Sequence, residues 1–274
     1  MGPLAWRVVT AMILAPLVIA GDLWLPRIGF ELALAALLLL GALEWAALAG
    51  LDSRWERLGL VLGIAMLQGL VGWALASGLD PWLLVAPAVL WWLGITGVIL
   101  TITTVSPAAG RSLDTALAGV LVLTWGWVAL IWLRDLDQGP WLVLFLLTLV
   151  WVADSGAYFA GRRWGRSKLA PQVSPGKTWA GVYGALAGAL LWGGLLARAY
   201  PDLSLAQQLG VLGLAVLTVV ISIVGDLYES LLKRRRGLKD SGALLPGHGG
   251  MLDRIDSLLA ATPVFALGWW WLVG

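Results

Sequence analysis

The sequence of 274 residues contains no cysteine, only one histidine and only 12% charged residues. Without cysteine the chain can form no disulfide, no thiolate nucleophile and no thiolate metal site. Soluble domains carry roughly 25% charged residues because they must wet their surface. The low charge therefore excludes an ordinary soluble domain. No internal repeat and no low-complexity tail divides the chain, so the sequence predicts one membrane domain over residues 1–274.

Apolar residues make up 60% of the chain, and the mean hydropathy is +0.87. A helix that crosses a bilayer needs about 17–25 mostly apolar residues. The segment after Arg7 is interpreted as a first transmembrane helix and not as a cleaved signal peptide. The sequence thus predicts an all-α polytopic membrane protein with about nine transmembrane helices, near residues 6–25, 28–50, 58–77, 81–104, 113–134, 139–161, 178–200, 207–232 and 255–273.

The basic residues predict how these helices are oriented. With the N-terminus in the cytoplasm, only Arg27, Arg134 and Arg198 of the 18 Lys and Arg residues fall on the outer side. This asymmetry is the positive-inside pattern. Two longer basic connections, 162–177 and 233–254, fall on the cytoplasmic side. Both belong to the C-terminal half, 139–274. We therefore expect that half to be catalytic and the N-terminal half, 1–138, to be a helical part without catalytic residues.

The end of the eighth predicted helix carries four polar residues on one face. Asp226, Glu229, Ser230 and Lys233 are spaced i, i+3, i+4 and i+7, which places them together on a helix. Acids at the edge of a membrane are costly unless they are paired or coordinated. One alternative is an intrahelical pair between Glu229 and Lys233. That pair would leave Asp226, one turn deeper, without a partner.

Two further acids, Asp253 and Asp256, stand at the start of the last predicted helix. They could act as helix caps, an interpretation that suits Asp256 better than Asp253. If the two helix ends converge, Asp226 and Asp253 can hold a hard cation through oxygen ligands. Mg²⁺ typically takes one or two carboxylates and completes its shell with water and phosphate. Glu229 and Asp256 are the less favoured ligands.

The loop between these helices combines glycine with positive charge. Gly249 and Gly250 follow His248, and consecutive glycine amides can approach and cradle phosphate oxygens. For His248, phosphate contact is favoured over acid–base work. Arg235 and Arg236 could instead anchor the helix end to anionic lipid. The residues expected to neutralise phosphate charge are Lys233, Arg234, Lys239 and Arg254.

A second constellation surrounds the basic connection 162–177. Asp154 lies within an apolar span, where an acid is a functional candidate by default. The connection carries five positive charges and no acid, which indicates either an anion site or a lipid anchor. A P-loop is excluded because Pro171 stands where that motif needs glycine, and a pinned, short basic loop is no nucleic-acid platform. The Ser-Pro-Gly-Lys-Thr order favours the anion site, with Lys168, Ser174, Lys177 and Thr178 as candidates.

These motifs resemble those of the phosphatidate cytidylyltransferases, also called CDP-diglyceride synthases. The first stretch is Ser230-x-x-Lys-Arg, then Lys239-Asp, then Pro246-x-His-Gly-Gly-x-x-Asp-Arg-Ile-Asp. The second is Lys168-Leu-x-Pro-x-x-Ser-Pro-x-Lys-Thr, preceded by Asp154 and Tyr158. The specific resemblance covers roughly residues 151–256, and the nine-helix layout is similar over the whole chain.

The resemblance implies a multi-pass enzyme of the inner (plasma) membrane that joins CTP and phosphatidic acid into CDP-diacylglycerol and releases pyrophosphate. It implies a site open to the cytoplasm, membrane lipids as partners, no nucleic acid, Mg²⁺ on Asp226 and Asp253 with a second cation open, and a homodimer as an open alternative. The implied catalytic residues are Asp226, Asp253, Lys233, Lys239 and His248. The implied substrate-binding residues are Asp154, Lys168, Ser174, Lys177, Thr178, Ser230, Arg234, Gly249, Gly250 and Arg254.

Two rival functions remain at this point. A CTP-using lipid kinase would transfer the γ-phosphate to a lipid alcohol and release CDP. A transporter of an anionic solute is disfavoured because transporters tend to show repeats and sites at the middle of the membrane. Glu31 and Glu44, both in the second predicted helix, have no role that the sequence predicts.

Overall fold

The computed structural model describes residues 3–244 and 249–274, and the side chains of 3–9 and 11 lie outside that description. His248 therefore lies outside the described residues. The described residues form nine α-helices and one two-stranded hairpin. The helices are α1 Pro3–Trp24, α2 Arg27–Leu48, α3 Arg54–Ala76, α4 Trp82–Thr101, α5 Leu113–Asp135, α6 Gly139–Trp164, α7 Trp179–Ala199, α8 Leu205–Arg235 and α9 Leu252–Val273.

Eight of these helices, α2 to α9, are long and apolar enough to cross a membrane. The chain is thus a multi-pass membrane protein, as the composition predicts. In α1 the described apolar helix runs over Met12–Trp24, which is shorter than a span. The ninth span therefore stays a prediction. All nine helices of the described chain lie within a few residues of their predicted positions.

Local sequence signals explain where several helices begin. Ser53 and Glu56 form a capping box at the start of α3, and Ser204 and Gln207 form another at the start of α8. In each box the serine oxygen and the acid or amide side chain satisfy backbone N–H groups that the helix leaves unpaired. These caps are short-range features, so they can be read directly from the sequence.

Glycines allow the C-terminal helices to pack closely. A Cβ atom at Gly156 of α6 would lie 2.5 Å from the carbonyl oxygen of Gly184 in α7. At Gly225 of α8 it would lie 2.7 Å from the Cβ of Ala260 in α9. Larger residues would force these helices apart. The close approach joins α6 to α7 and α8 to α9, and the helical acids of this half lie on α6, α8 and α9.

One end of the bundle gathers the polar connections, and we call it the loop end. There the backbone N–H of Ala108 donates to Arg235 O at 2.8 Å, which joins the segment before α5 to the end of α8. The Arg236 guanidinium donates to the carbonyl oxygens of Leu48, Ala108 and Gly110. Arg236 is therefore held by the protein backbone, contrary to the alternative of a lipid anchor.

The structure changes two details of the predicted layout. The basic connection contains an antiparallel hairpin, β1 Lys168–Ala170 and β2 Ser174–Thr178, inside an otherwise helical chain. Helix α9 begins at Leu252, three residues before its predicted start. Asp253 consequently lies in the first turn of α9 and Asp256 in the second. The expectation that Asp256 is the better cap is wrong.

Candidate active site

Lys233 joins α8 to α9 at the loop end. Its ammonium lies 2.9 Å from Glu229 Oε2 and 2.6 Å from Asp253 Oδ1. All three side chains are buried, with exposed fractions of 11%, 3% and 7% in the order Lys233, Glu229, Asp253. The intrahelical pair with Glu229 is confirmed, but the same ammonium also binds an acid of the next helix. The end of α8 and the start of α9 therefore converge, which is the condition for a cation shared by their acids.

Asp226 is paired as well, by a residue from the hairpin. Lys177 Nζ lies 2.7 Å from Asp226 Oδ2, and Ser230 Oγ donates to Asp226 Oδ1 at 3.2 Å. The intrahelical alternative would have left Asp226 without a partner, and that expectation is wrong. The ion pair brings the two predicted constellations together, because Lys177 ends the first basic connection and Asp226 precedes the second.

The second carboxylate oxygen of Asp253 is held by the glycine loop. Asp253 Oδ2 accepts the backbone N–H groups of Gly250 at 2.8 Å and Ser241 at 3.0 Å. Gly249 has a positive φ of 85°, and a Cβ atom there would lie 2.7 Å from Asp253 Oδ2. The two glycines therefore pack around a carboxylate of the protein itself. Their contact with a phosphate stays a prediction.

Two more acids complete the cluster. Asp154 of α6 interacts electrostatically with Asp226 and Lys177, and Asp256 of α9 lies next to Glu229. Acids from three helices thus surround two lysines. Ionisable residues are rare within membrane-spanning bundles and mark functional sites where they occur, so this cluster is the candidate active site.

Two cavities meet at Asp154, Asp226 and Ser257. The smaller has a volume of about 440 Å³ and lies between α6, α7 and the hairpin. The larger has a volume of about 820 Å³ and is polar at one end and apolar at the other. Its polar end includes Lys233, Asp240, Asp253, Arg254 and Asp256, and its apolar walls come from α1, α2, α5, α6 and α9.

The remaining predicted site residues are placed as follows around the smaller cavity. Lys168 and Thr178 line it. Thr178 is buried, and its hydroxyl oxygen also accepts the N–H of Gly181 at 3.1 Å, which caps α7. Ser174 pairs with Ala170 in the hairpin, away from the described wall of either cavity. The hairpin therefore presents its two lysines, and not Ser174, to the cavity.

The basic residues between the end of α8 and the start of α9 differ in whether they line a cavity. Arg254 lines the larger cavity, whereas Lys239 is exposed and outside the described wall of both. Arg234 donates to the carbonyl oxygens of Val173 at 3.4 Å and Leu238 at 3.2 Å, so it connects α8 to the hairpin. Substrate roles for these residues stay predictions.

The structure gives both unassigned acids of α2 a partner. Glu31 accepts a hydrogen bond from Arg27 Nε at 2.9 Å, far from the site. Glu44 accepts hydrogen bonds from Met251 N, Leu252 N and Ser241 Oγ, at the start of α9. In the sequence Glu44 stands out only as an acid in an apolar helix, because its partners lie about 200 positions away.

The donor atoms of the cluster suit a hard cation. The acids offer only carboxylate oxygens, which Mg²⁺ prefers over nitrogen or sulfur. Among the described residues, no group of three or more Asp, Glu, His or Cys has the geometry of a protein-only metal cage. Mg²⁺ typically needs only one or two protein carboxylates beside substrate phosphates and water, so Mg²⁺ on Asp226 and Asp253 stays a prediction.

Comparison with known proteins agrees with this geometry. Residues 5–271 match the sequence pattern of the Cytidylyltransferase family. The chain is 42% identical to a phosphatidate cytidylyltransferase of Pseudomonas aeruginosa, with 96% of each chain covered. It is 36% identical to that of Haemophilus influenzae, covering 95% of this chain and 96% of the relative. It is 33% identical to that of Thermotoga maritima, covering 96% and 95%. The chain therefore belongs to the cytidylyltransferase family.

Proposed function

We propose that the protein is a phosphatidate cytidylyltransferase, which makes CDP-diacylglycerol and pyrophosphate from CTP and phosphatidate. One observation carries the proposal: a basic cavity and an amphipathic cavity meet at the same two acids, Asp154 and Asp226. A reaction between a water-soluble anion and an anionic lipid needs such a junction. The three relatives named above are phosphatidate cytidylyltransferases, and this chain matches each of them over nearly its whole length.

The larger cavity is suited to the lipid substrate. Its polar end offers Lys233 and Arg254 to a phosphate, and its walls offer apolar residues such as Leu14, Leu34 and Leu130 to acyl chains. Phosphatidate carries its charge at one end only, so the lipid matches the division of the cavity. The acyl chains would remain in an apolar environment while the phosphate reaches the acids.

The smaller cavity is suited to the nucleotide. The hairpin places Lys168 and Lys177 in its wall, and ammonium groups bind phosphate oxygens as compact point charges. Lys177 already bonds to Asp226, so it stands between the nucleotide cavity and the acid cluster. A triphosphate bound there would direct its α-phosphate towards the junction of the cavities.

In the proposed reaction an oxygen of the lipid phosphate attacks the α-phosphorus of CTP. A new P–O bond forms, the bond between the α-phosphorus and its bridging oxygen breaks, and pyrophosphate leaves with that oxygen. The attacking oxygen is already an anion at neutral pH, so no strong general base is required. Catalysis then depends on alignment and on neutralising charge. We assign the neutralising role to Lys177, Lys233 and Arg254.

Asp226 and Asp253 are the residues that would hold Mg²⁺, with Glu229 and Asp256 less favoured. When bound, the ion supplies positive charge that offsets the charge of the phosphates. The carboxylates also act without the ion, because they fix the positions of both lysines. Lys233 cannot leave Asp253 without a new anion to bind, and a substrate phosphate is such an anion.

We further propose that the loop end faces the cytoplasm and that α1 is the ninth span, which agrees with the distribution of basic residues. CTP would then enter from the cytoplasm, and phosphatidate from the membrane. The inner membrane as the location and a homodimer as the assembly also stay predictions.

The experiment uses purified protein in mixed micelles with Mg²⁺, phosphatidate and CTP labelled at the α-phosphate. We expect label in the lipid and an equal amount of pyrophosphate. Asp253→Asn should lower the rate by at least about 10²-fold, since it removes a charge that orders the site. The matched control is Glu31→Gln, which alters an acid away from the site and should keep the rate of the wild type.

Two results would contradict the proposal. Transfer of label only from γ-labelled CTP to a lipid alcohol would indicate the lipid kinase. Absence of transfer from either label would exclude both enzymes and favour the transporter.

A further inference from the structure

Glu44 is a buried acid of α2 whose carboxylate is fully engaged by the other half of the chain. Its exposed fraction is 9%. Glu44 Oε1 accepts the N–H of Met251 at 2.9 Å, and Oε2 accepts the N–H of Leu252 at 2.8 Å and the hydroxyl of Ser241 at 3.0 Å. Every donor comes from the segment that leads into α9. A buried acid is retained only where such donors compensate its desolvation.

The start of α9 needs this external acid because it has no cap of its own. Met251 occupies the N-cap position, and its side chain makes no capping hydrogen bond. The first N–H groups of a helix lack partners inside the helix, and a negative charge there interacts favourably with the helix dipole. Glu44 supplies both the acceptor oxygens and the charge, although it belongs to another helix.

The same segment also holds Asp253. Ser241 donates its hydroxyl to Glu44 and its backbone N–H to Asp253 Oδ2. Gly250 donates its N–H to Asp253, and a Cβ atom at Gly250 would overlap both Ser241 Oγ and Glu44 Oε2. Two residues thus contact both carboxylates. Ser241 and Gly250 therefore link Glu44 to Asp253.

We propose that Glu44 is a positioning residue for the transfer reaction. It fixes Ser241 and residues 250–252, and through them it directs Asp253 Oδ1 towards Lys233 and the larger cavity. The inference rests on the proposed function, because the position of Asp253 matters for the rate only if Asp253 serves the reaction. Glu44 itself lines neither described cavity wall, so it acts through Asp253 and contacts no substrate.

The decisive variant is Glu44→Gln, which keeps the shape of the side chain. In either orientation its NH₂ group faces the N–H of Met251 or Leu252, so at least one acceptor is lost. Residues that orient a metal ligand or a reacting group typically cost 10–100-fold when changed. We expect kcat to fall by about 10–100-fold, while KM for CTP changes little because the hairpin is intact. The half-saturating concentration of Mg²⁺ should rise.

A second measurement is independent of activity. Hydrogen exchange of the backbone amides in the peptide covering residues 249–254 should become faster in Glu44→Gln, since the N–H groups of Met251 and Leu252 lose an acceptor. The control is Glu31→Gln on the same helix, which should change neither exchange in this peptide nor kcat. Ser241→Ala is a milder variant that keeps the N–H to Asp253, and we expect it to lower kcat about fivefold.

The outcomes separate this inference from the proposed function. In a protein whose wild type is active, unchanged amide exchange or an unchanged kcat in Glu44→Gln would overturn the role of Glu44 alone. A rate that falls only in proportion to the folded fraction, with the same Mg²⁺ dependence, would also overturn it. Absence of transfer by the wild type would instead overturn the proposed function.

Discussion

The two ends of the bundle both bury charged residues, but they hold them in different ways. At the loop end, Lys233 and Lys177 bind carboxylates beside two cavities. At the opposite end, the Arg134 guanidinium donates to the carbonyl oxygens of Asp22 and Leu25, at 2.7 Å and 2.6 Å. It also pairs with the Asp22 carboxylate at 3.4 Å and lies 4.3 Å from the ring centre of Phe30.

This difference separates charged side chains that stabilise the fold from charged side chains that can bind a substrate. Arginine presents several donors in a rigid plane, and at Arg134 those donors point at backbone oxygens that cannot leave. Lysine is a single mobile charge, and at Lys177 and Lys233 its partners are side chains next to open volume. A phosphate entering that volume can replace a carboxylate as partner. We therefore expect the loop end to affect catalysis and the opposite end to affect stability.

The largest effect is expected from removing the positive charge of Lys233. Lys233→Met leaves Glu229 and Asp253 buried without their common partner, a loss that costs about 3–5 kcal/mol of stability. It also removes a charge beside the lipid phosphate, so the transfer rate per folded molecule should fall by at least about 10²-fold. Thermal unfolding in detergent and the cytidylyltransferase assay measure the two effects separately.

Arg134→Met is the matched variant at the opposite end. It leaves Asp22 buried and unpaired, so we expect a similar loss of stability, about 3–5 kcal/mol, with an unchanged rate per folded molecule. If Arg134→Met folds too poorly to assay, Arg134→Lys keeps the charge and loses only the planar donor geometry. A reduced rate in folded protein with either change at Arg134 would remove the distinction between the two ends.

A smaller effect is expected at Lys177, whose side chain is more exposed than that of Lys233. Hydrogen bonds to charged groups contribute about 1.5–3 kcal/mol, so Lys177→Ala should raise KM for CTP by about tenfold or more. KM for phosphatidate should stay close to that of the wild type, because the lipid cavity is lined by Lys233 and Arg254. Steady-state kinetics with each substrate varied in turn measure both constants.

Lys177→Arg serves as the control, because it keeps the positive charge and should retain part of the affinity for CTP. An equal rise of both KM values in Lys177→Ala would show that the two cavities do not divide the substrates. The distinction between the cavities, and not only between the two ends, would then have to be abandoned.

Much of this arrangement follows from local sequence. Apolar runs predict the helices within a few residues, because bilayer thickness sets their length. The spacing of Asp226, Glu229 and Lys233 predicts one helix face, and the ion pair between Glu229 and Lys233 confirms that these two residues share it. Each of these inferences needs only the thickness of the bilayer or the period of a helix.

Other features depend on contacts between distant segments. Glu44 caps a helix about 200 positions further along the chain, and sequence reasoning detects the acid but not its partners. The sequence predicts only a loop at Lys168–Thr178, because the two strands have three and five residues and the longer one contains proline and glycine, which strands disfavour. Arg236 belongs to the same class, since its acceptors are backbone oxygens and carry no signature in the sequence.

Arg236 gives the smallest predicted effect on catalysis. It also tests the comparison most sharply, because it lies at the loop end but, like Arg134, donates to backbone carbonyl oxygens. Its guanidinium bonds to three backbone oxygens, one at the end of α2 and two in the segment that precedes α5. If location decided the role, Arg236→Met would impair transfer. Because its donors are bound to the backbone, we instead expect a loss of about 2 kcal/mol of stability with unchanged kcat and unchanged KM for CTP. Arg163→Met, which alters an exposed arginine at the end of α6, should change neither quantity. A raised KM for CTP in fully folded Arg236→Met would mean that the location of a charged side chain, and not the way the protein holds it, decides its role.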